Sequence, residues 1–541
     1  MRTRTRSFPR RRLLPAVGLA AVAWSTNAAA APLVKEGDIP NDGLDHFFVD
    51  FDVPPGTKEI EIKHEDLSDT NILDFGLYDT KGYRGWGGGT SENTIVGEQA
   101  ASRAYVAGPI EPGTWRVVVG KAKVVASPAK YRLEIELRTA PTLPPSTRVP
   151  YVAPPPRTSE TRYYAGDFHV HSRESTDAKP SLAENIALAK SRGLDFIEIS
   201  DHNTITQMDF FDAEQKKEPS FLLLPGIEYT TYKGHANAIG ATAWVDHKIG
   251  QPGVTIGAAV DAVRAQGAIF SINHPVLDLT DICIGCAWQH DVDPSKIGGV
   301  EIGTVPLSKG AAIFSARAIA FWDAILDKGF HVAPLGGSDD HRAGKIDGAV
   351  QGAIGGPTTL VRARELSVAG ILEGVRKAAT VVKLEGPEDP MVELEAAPAR
   401  GAPAVAFAGD TVSVRSIVLR ARVTGGNGQL VRFLENGKPV GEPVAVTSDP
   451  FVYEQIVSAR EGGEIRWRAE ALVEEKPRTV TSHIWLKLDP SGPVASEPEA
   501  SDDGGCTTAS TGSTPRSRPE APIAVASVVL GAIAWLRRRR G

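Results

Sequence analysis

Asp167-Phe168-His169-Val170-His171, following Tyr163-Tyr164, closes an apolar, strand-like run with two imidazoles and a carboxylate. Histidines two apart on a strand point to the same face. The arrangement recurs along the chain. Asp201-His202-Asn203 follows the apolar run 196–199, Glu228 follows 221–224, and His235 precedes 236–239. His274 stands in Ser271-Ile272-Asn273-His274-Pro275, and Ser338-Asp339-Asp340-His341 follows 332–335. Neutral imidazole with carboxylate is the donor mix for Zn, Mn or Fe, and one carboxylate can bridge ions. A lone His-x-His is more often a plain surface strand. Recurrence after strand upon strand predicts a metalloenzyme.

Residues 158–388, which hold all of these clusters, alternate strand-like runs with helical patterns. Leu182, Ile186, Ala189 and Lys190 precede Gly193, a helix with a glycine stop. Residues 258–266 end at Gly267 before the apolar run 268–272, and 316–328 end at Gly329 before 331–335. Such repeated βα units predict an α/β region with a parallel sheet or barrel. In barrels the chemistry sits at the C-terminal ends of the strands, where every cluster above falls.

The flanks read differently. Residues 32–140 alternate in short strands (46–53, 58–63, 114–119, 131–137), which predicts a β-sandwich. Its run Gly85-Trp86-Gly87-Gly88-Gly89 reads as a flexible loop. Residues 141–157 are proline-rich and predict a stiff linker. Residues 389–490, with an Asn436-Gly437 turn, predict an immunoglobulin-like β-sandwich.

At 541 residues the chain exceeds a single core. Its net charge of −7 supplies no basic field for gripping nucleic acid. No feature points to a protein partner. Residues 1–31 read as a signal peptide, with arginines at 2, 4, 6, 10, 11 and 12, an apolar stretch 13–24 and small residues 28–31. Arg10-Arg11-Arg12-Leu13-Leu14 loosely resembles a twin-arginine signal. At the other end, 491–520 is a low-complexity linker containing Cys506. An apolar segment 521–536 and four arginines, 537–540, complete the tail. Cys283 and Cys286 are expected to form a local disulfide in an exported protein. The insert 277–294 that carries them is expected to wall one side of the pocket.

Taken with their order, Gly166–His171, Ser200–Thr204, Leu224–Glu228, Gly234–Gly240 and Gly337–Arg342 resemble the polymerase-and-histidinol-phosphatase (PHP) superfamily. They look most like its carbaryl-hydrolase-like branch. The resemblance implies a distorted (β/α)7 barrel holding two or three divalent ions, flanked here by two β-sandwich domains. It implies His169, His171, Glu228 and Asp339 on the first ion. Glu228 would bridge to a second ion on His235 and His274. A third ion would take His202, His341 and an acidic residue after His171, assigned to Asp177 with Glu174 as the alternative. Asp167 and Asp201 are expected behind these ligands, orienting imidazoles. The sandwich at 32–140 resembles the pre-peptidase C-terminal type of module, which implies an accessory role. The tail resembles myxobacterial surface-protein sorting tails, which implies processing near Cys506 and anchoring at the cell surface; a plain single-pass anchor is the alternative.

The chemistry expected is hydrolysis. Water between two cations ionises near neutrality, and the cations polarise the electrophile. Glu228, Asp339, His341 and Arg173 are the catalytic candidates. Arg173, Lys179 and Arg342 lie beside ligand motifs and could hold a phosphate, or be solvated rim charges. A phosphoesterase on small phosphoesters leads. An ester, carbamate or amide hydrolase is the alternative within the class, and a binding protein with a degenerate barrel the alternative outside it. No Ser-His-Asp pattern or P-loop competes.

Overall fold

In the computed structural model, which describes residues 31–68, 70–125, 128–304, 312–345 and 352–496, the strand His46–Val53 buries Val49, Phe51 and Val53 and exposes Asp50 and Asp52. A one-residue slip would turn both aspartates inward, so this register is enforced. The strand pairs antiparallel with Gly113–Lys123. Two four-stranded sheets enclose a core that includes Phe51, Ile60, Phe75 and Trp115. The expected flexible glycine loop is instead mostly strand, Tyr83–Gly88. Glycine is required there because a Cβ on Gly85, at φ +148, would meet the Tyr105 ring at 2.3 Å.

Residues 141–161 form no helix or strand, yet they are held along their length. Thr142 N donates to Glu59 at 2.9 Å, and Ser146 N to the Gln99 carbonyl at 3.1 Å. Arg148 donates to the Tyr105 carbonyl at 2.9 Å and to Asp209 at 3.3 Å. The proline-rich stretch therefore ties the first sandwich to the region after it.

That region is α/β, with ten strands and five helices among the described residues. Phe196–Ile199, Leu222–Pro225 and Ile269–Ile272 are buried throughout, as strands covered on both faces must be. Helix Leu182–Ser191 starts with a capping box between Ser181 and Glu184. Its chain turns at Gly193, φ +75. The strands fall into two sheets. Arg162–Val170, Phe196–Ile199 and Leu222–Pro225 run parallel in one. Glu228–Thr231, Gly234–Ile239, Ile269–Ile272, Gly299–Gly303 and Ala333–Gly336 make the other. The regular alternation expected for seven βα units breaks at residues 228–239, where an antiparallel hairpin replaces a strand and its helix. Isolated bridges join the sheets where their strands end, Val170 to Asp340 and His202 to Glu228.

The boundary expected at 388/389 interrupts no sheet. Thr380–Lys383 pairs antiparallel with Lys476–Thr481, so one eleven-stranded sheet runs from the α/β region into the C-terminal β region. There Asn436 and Gly437, at φ 49 and 77, make the two-residue turn between Leu430–Glu435 and Lys438–Ala445. No helix among the described residues is long and apolar enough to cross a membrane. The expected signal peptide, Cys506 and the C-terminal anchor lie outside the described residues.

Helix Ala312–Leu326 locks the two regions together. Its Asp323 accepts from Arg468 Nη1 at 2.7 and 2.9 Å and from Arg466 Nη2 at 3.3 Å. Both arginine side chains are nearly buried, at 3% and 7% exposure. Removing the carboxylate leaves Arg468 only Glu470, at 3.0 Å, and Arg466 only Asp327, at 2.7 Å, to answer buried positive charge. Asp323→Ala is expected to cost roughly 3 kcal/mol, read as a lower urea midpoint, whereas a change near zero would mean water replaces the pair.

Candidate metal centre

The strand ends bring the histidines to one mouth. His169 lies in Arg162–Val170 and His171 just beyond it, with ring centroids 5.1 Å apart. The hairpin register sets Glu228 opposite Asn237 and Thr230 opposite His235, which returns His235 to the side of Glu228. His274 and Asp339 each follow a strand with φ of 24 and 54, and Asn203, after His202, has φ 48. Such backbone costs about 1–3 kcal/mol per residue and persists where surrounding structure imposes it. Three such residues gather at this one place in the fold.

Glu228 is fully buried, and its carboxylate faces five imidazoles. Nitrogens of His202, His235, His169, His171 and His274 lie 2.8, 3.2, 3.3, 3.4 and 3.4 Å from it. Asp339 Oδ1 is 3.0 Å from His171 Nε2 and 3.2 Å from His169 Nε2. Asp177 Oδ2 lies 3.2 Å from His202 Nε2 and 3.3 Å from His341 Nε2. Ligand atoms of His169, His171, Glu228 and Asp339 all lie within 4.8 Å of one another; so do those of His171, His202 and His341, and of His235, His274 and Cys286, whose sulfur is engaged in the disulfide with Cys283 and is no thiolate donor.

Divalent cations fit this donor set. The Nε2 atoms of His169, His235 and His274 and Oε2 of Glu228 are buried without a hydrogen-bond partner. Buried polar atoms normally find one, and here they converge. Tautomers agree. His169 donates Nδ1–H to Glu301 at 3.1 Å, His274 to the Cys286 carbonyl at 3.2 Å, and His341 to the Asp339 carbonyl at 2.9 Å. Each turns Nε2 to the centre; against the effect of burial, the carboxylates around them raise His169, His274 and His341, the last to about 9, so a cation bound there would displace a proton from Nε2. Burial, reinforced by His341 and His202, pushes His171 down to about 3, which keeps it in the neutral, ligating form. Burial pushes Glu228 up, but His169, His202 and His235 outweigh it and hold the carboxyl well below its usual range.

Of the two acidic candidates after His171, Asp177 reaches His202 and His341. Glu174 turns away, accepting from Ala104 N at 3.3 Å and Thr206 Oγ1 at 2.8 Å. Asp201 accepts from Ser172 N and Oγ at 2.6 and 2.5 Å and lies 4.0 Å from His171 Nδ1. Burial pushes it up to about 8, the Ser172 bonds opposing. Asp167 orients backbone rather than imidazole. It accepts from the amides of His169, Ser338 and Gly355 at 3.0, 3.0 and 2.7 Å. Arg173 and Lys179 are exposed and do not line the cleft, whereas Arg342 does.

The cleft above the centre has a volume of about 780 Å³. Leu277, Leu279, Ile282 and Cys283 of the 277–294 insert form one wall, and Cys283 is disulfide-bonded to Cys286. Asp74, Trp86, residues 87–92 and Arg103 of the N-terminal sandwich form another. Sequence reasoning missed this second wall, and it missed Glu301. The signal for Glu301 was a lone carboxylate inside the buried strand Gly299–Gly303.

No protein-family model and no curated protein matches the chain. Among solved structures, a two-domain protein from Bacteroides vulgatus containing a predicted PHP-like metal-dependent phosphoesterase is similar at 19% identity. The match covers 62% of this chain and 99% of that one, with a TM-score of 0.33. The CARDB domain of a Pyrococcus furiosus protein matches 19% of this chain and 98% of its own at 17% identity, TM-score 0.13. Both TM-scores are low, so the functional reading rests on the site's own geometry.

Glu301 stands behind His169 and fixes its ring. Glu301→Ala is expected to weaken metal binding about 10–100-fold in a chelator competition, with the fold kept by circular dichroism. Unchanged affinity would show that His169 is oriented by packing alone.

Proposed function

We propose that this protein is an exported, surface-anchored metal-dependent hydrolase built on a distorted PHP-type barrel, and that it is a phosphoesterase for small molecules. The observation that carries it is one buried carboxylate, Glu228, facing five imidazoles at the floor of a cleft. When bound, divalent ions (Mn, Zn or Fe) would supply an ionised water and a Lewis acid for the electrophile. His169, His171, Glu228 and Asp339 would hold the first, Glu228, His235 and His274 the second, and His202, His341 and Asp177 the third. Asp339, 24% exposed at the cleft floor, would accept a proton from the attacking water. Glu301, Asp201 and the Cys286 carbonyl hold ligands and their loops in place. Export and anchoring rest on the charge and apolar patterning of residues 1–31 and 491–541.

A second reading, hydrolysis of a carboxyl ester or carbamate, draws on the cleft walls. Trp86, Leu277, Leu279 and Ile282 are apolar, and Asp74, Glu92 and Asp281 are acidic. Such walls suit a substrate with an apolar body and little negative charge.

Phosphomonoester, phosphodiester and carboxyl-ester substrates assayed on one metal-loaded preparation separate the two. Turnover should be chelator-sensitive. Glu228→Ala and His274→Ala should each lower it by more than about 100-fold, since losing a ligand exceeds losing a partner behind one. Full activity in either variant would sink the metal-hydrolase reading.

A further inference from the structure

Arg103 of the N-terminal sandwich lines the cleft. An arginine in that position suggests a clamp for a substrate anion. Its hydrogen bonds exclude that. Nε donates to Glu92 Oε2 at 2.8 Å and Nη2 to Glu92 Oε1 at 2.6 Å. Nη1 donates to the carbonyls of Arg173 and Ala178 at 3.1 and 2.8 Å, and Nη2 to that of Thr176 at 2.6 Å. A guanidinium has five N–H donors, and these bonds engage all five. None is left for a ligand.

What Arg103 grips is the loop that carries Asp177. The Thr176 and Ala178 carbonyls flank Asp177 in the chain, so one planar group holds the backbone before and after it. The arginine is 19% exposed and held flat by Glu92, a preorganised fork that lysine cannot mimic. Neighbouring contacts from the same sandwich act on the same loop. Thr176 Oγ1 donates to the Gly87 carbonyl at 2.5 Å, and Ala104 N donates to Glu174 at 3.3 Å. Tyr83 OH donates to the carbonyl of Asn203, beside His202, at 2.7 Å. Residues 172–180 contain no helix or strand; within them Ser175 Oγ donates to Asp177 Oδ1 at 2.8 Å and Ala178 N to the Ser175 carbonyl at 2.9 Å, bonds that orient the side chain on a backbone Arg103 holds. The Asp177 side chain is 53% exposed, so packing does not fix it.

We propose that Arg103 is a positioning residue for Asp177, and that the N-terminal sandwich thereby completes the third metal position. This rests on the metal-hydrolase reading above. It replaces the accessory role expected for the sandwich with a part in building the centre.

The test is a manganese titration of the full mature chain, read as bound equivalents by elemental analysis. Arg103→Ala, Asp177→Ala and the double variant are compared with the parent. Arg103→Ala should weaken one ion about 10–100-fold, Asp177→Ala should weaken the same ion by more than that, and both should spare the others. The double variant should lose no more than Asp177→Ala alone, because Arg103 acts through Asp177. Unchanged occupancy in Arg103→Ala, or a further loss in the double variant, overturns the proposal. Unchanged occupancy in Asp177→Ala is a different failure and removes the third position itself. Should Arg103→Ala not fold, Arg103→Lys keeps charge and stem but not the fork, and carries the same expectations.

Discussion

Glu228 sits where the two halves of the α/β region meet, fully buried, its carboxylate facing five imidazoles and the Asn273 amide. A buried carboxylate is costly unless positive charge answers it. His169, His202 and His274, whose pKa values are raised against burial by the carboxylates around them, or cations held by the same donor set, answer it here, and much of the surrounding geometry serves that arrangement. The hairpin at 228–239 returns His235 to the side of Glu228. The bridge from His202 to Glu228 closes the seam. Positive φ at His274 and Asp339 is tolerated because both side chains then face the same centre.

Much of this centre is legible in sequence because its signal is local. A histidine or carboxylate just past an apolar run needs only the strand period to be placed. The strand period puts His169 and His171 on one face; their grouping with Glu228 and Asp339 is what the family resemblance implies. What escapes depends on long-range packing. Glu301 looks like any polar residue in a short strand, and its role exists only through His169, 132 positions away. Glu174 and Asp177 share one loop and one chemistry; which of them faces the histidines is decided by Ala104 and Thr206, far from both in the chain. Asp167 carries the same lesson, since its partners are amides brought in by other strands.

The domain picture shifts for the same reason. Composition divides the chain into a sandwich, an α/β core and a second sandwich. Hydrogen bonding joins the core to the C-terminal strands in one sheet, and side chains join the first sandwich to the mouth of the core. Continuity across 388/389 comes from the pairing of Thr380–Lys383 with Lys476–Thr481, nearly one hundred residues on, which no local pattern announces. The cleft is thus assembled from the first sandwich, the core and the disulfide-bonded insert.

X-ray absorption at the edge of zinc loaded into the purified protein tests the central claim most directly. The account predicts a first shell containing nitrogen at about 2.0–2.1 Å, with the outer-shell scattering of several imidazoles. That imidazole signal should fall in Glu228→Ala as the bridging site is lost. A shell of oxygen alone, without imidazole scattering and unchanged by the substitution, would contradict the account and reduce the histidine cluster to a buried polar core.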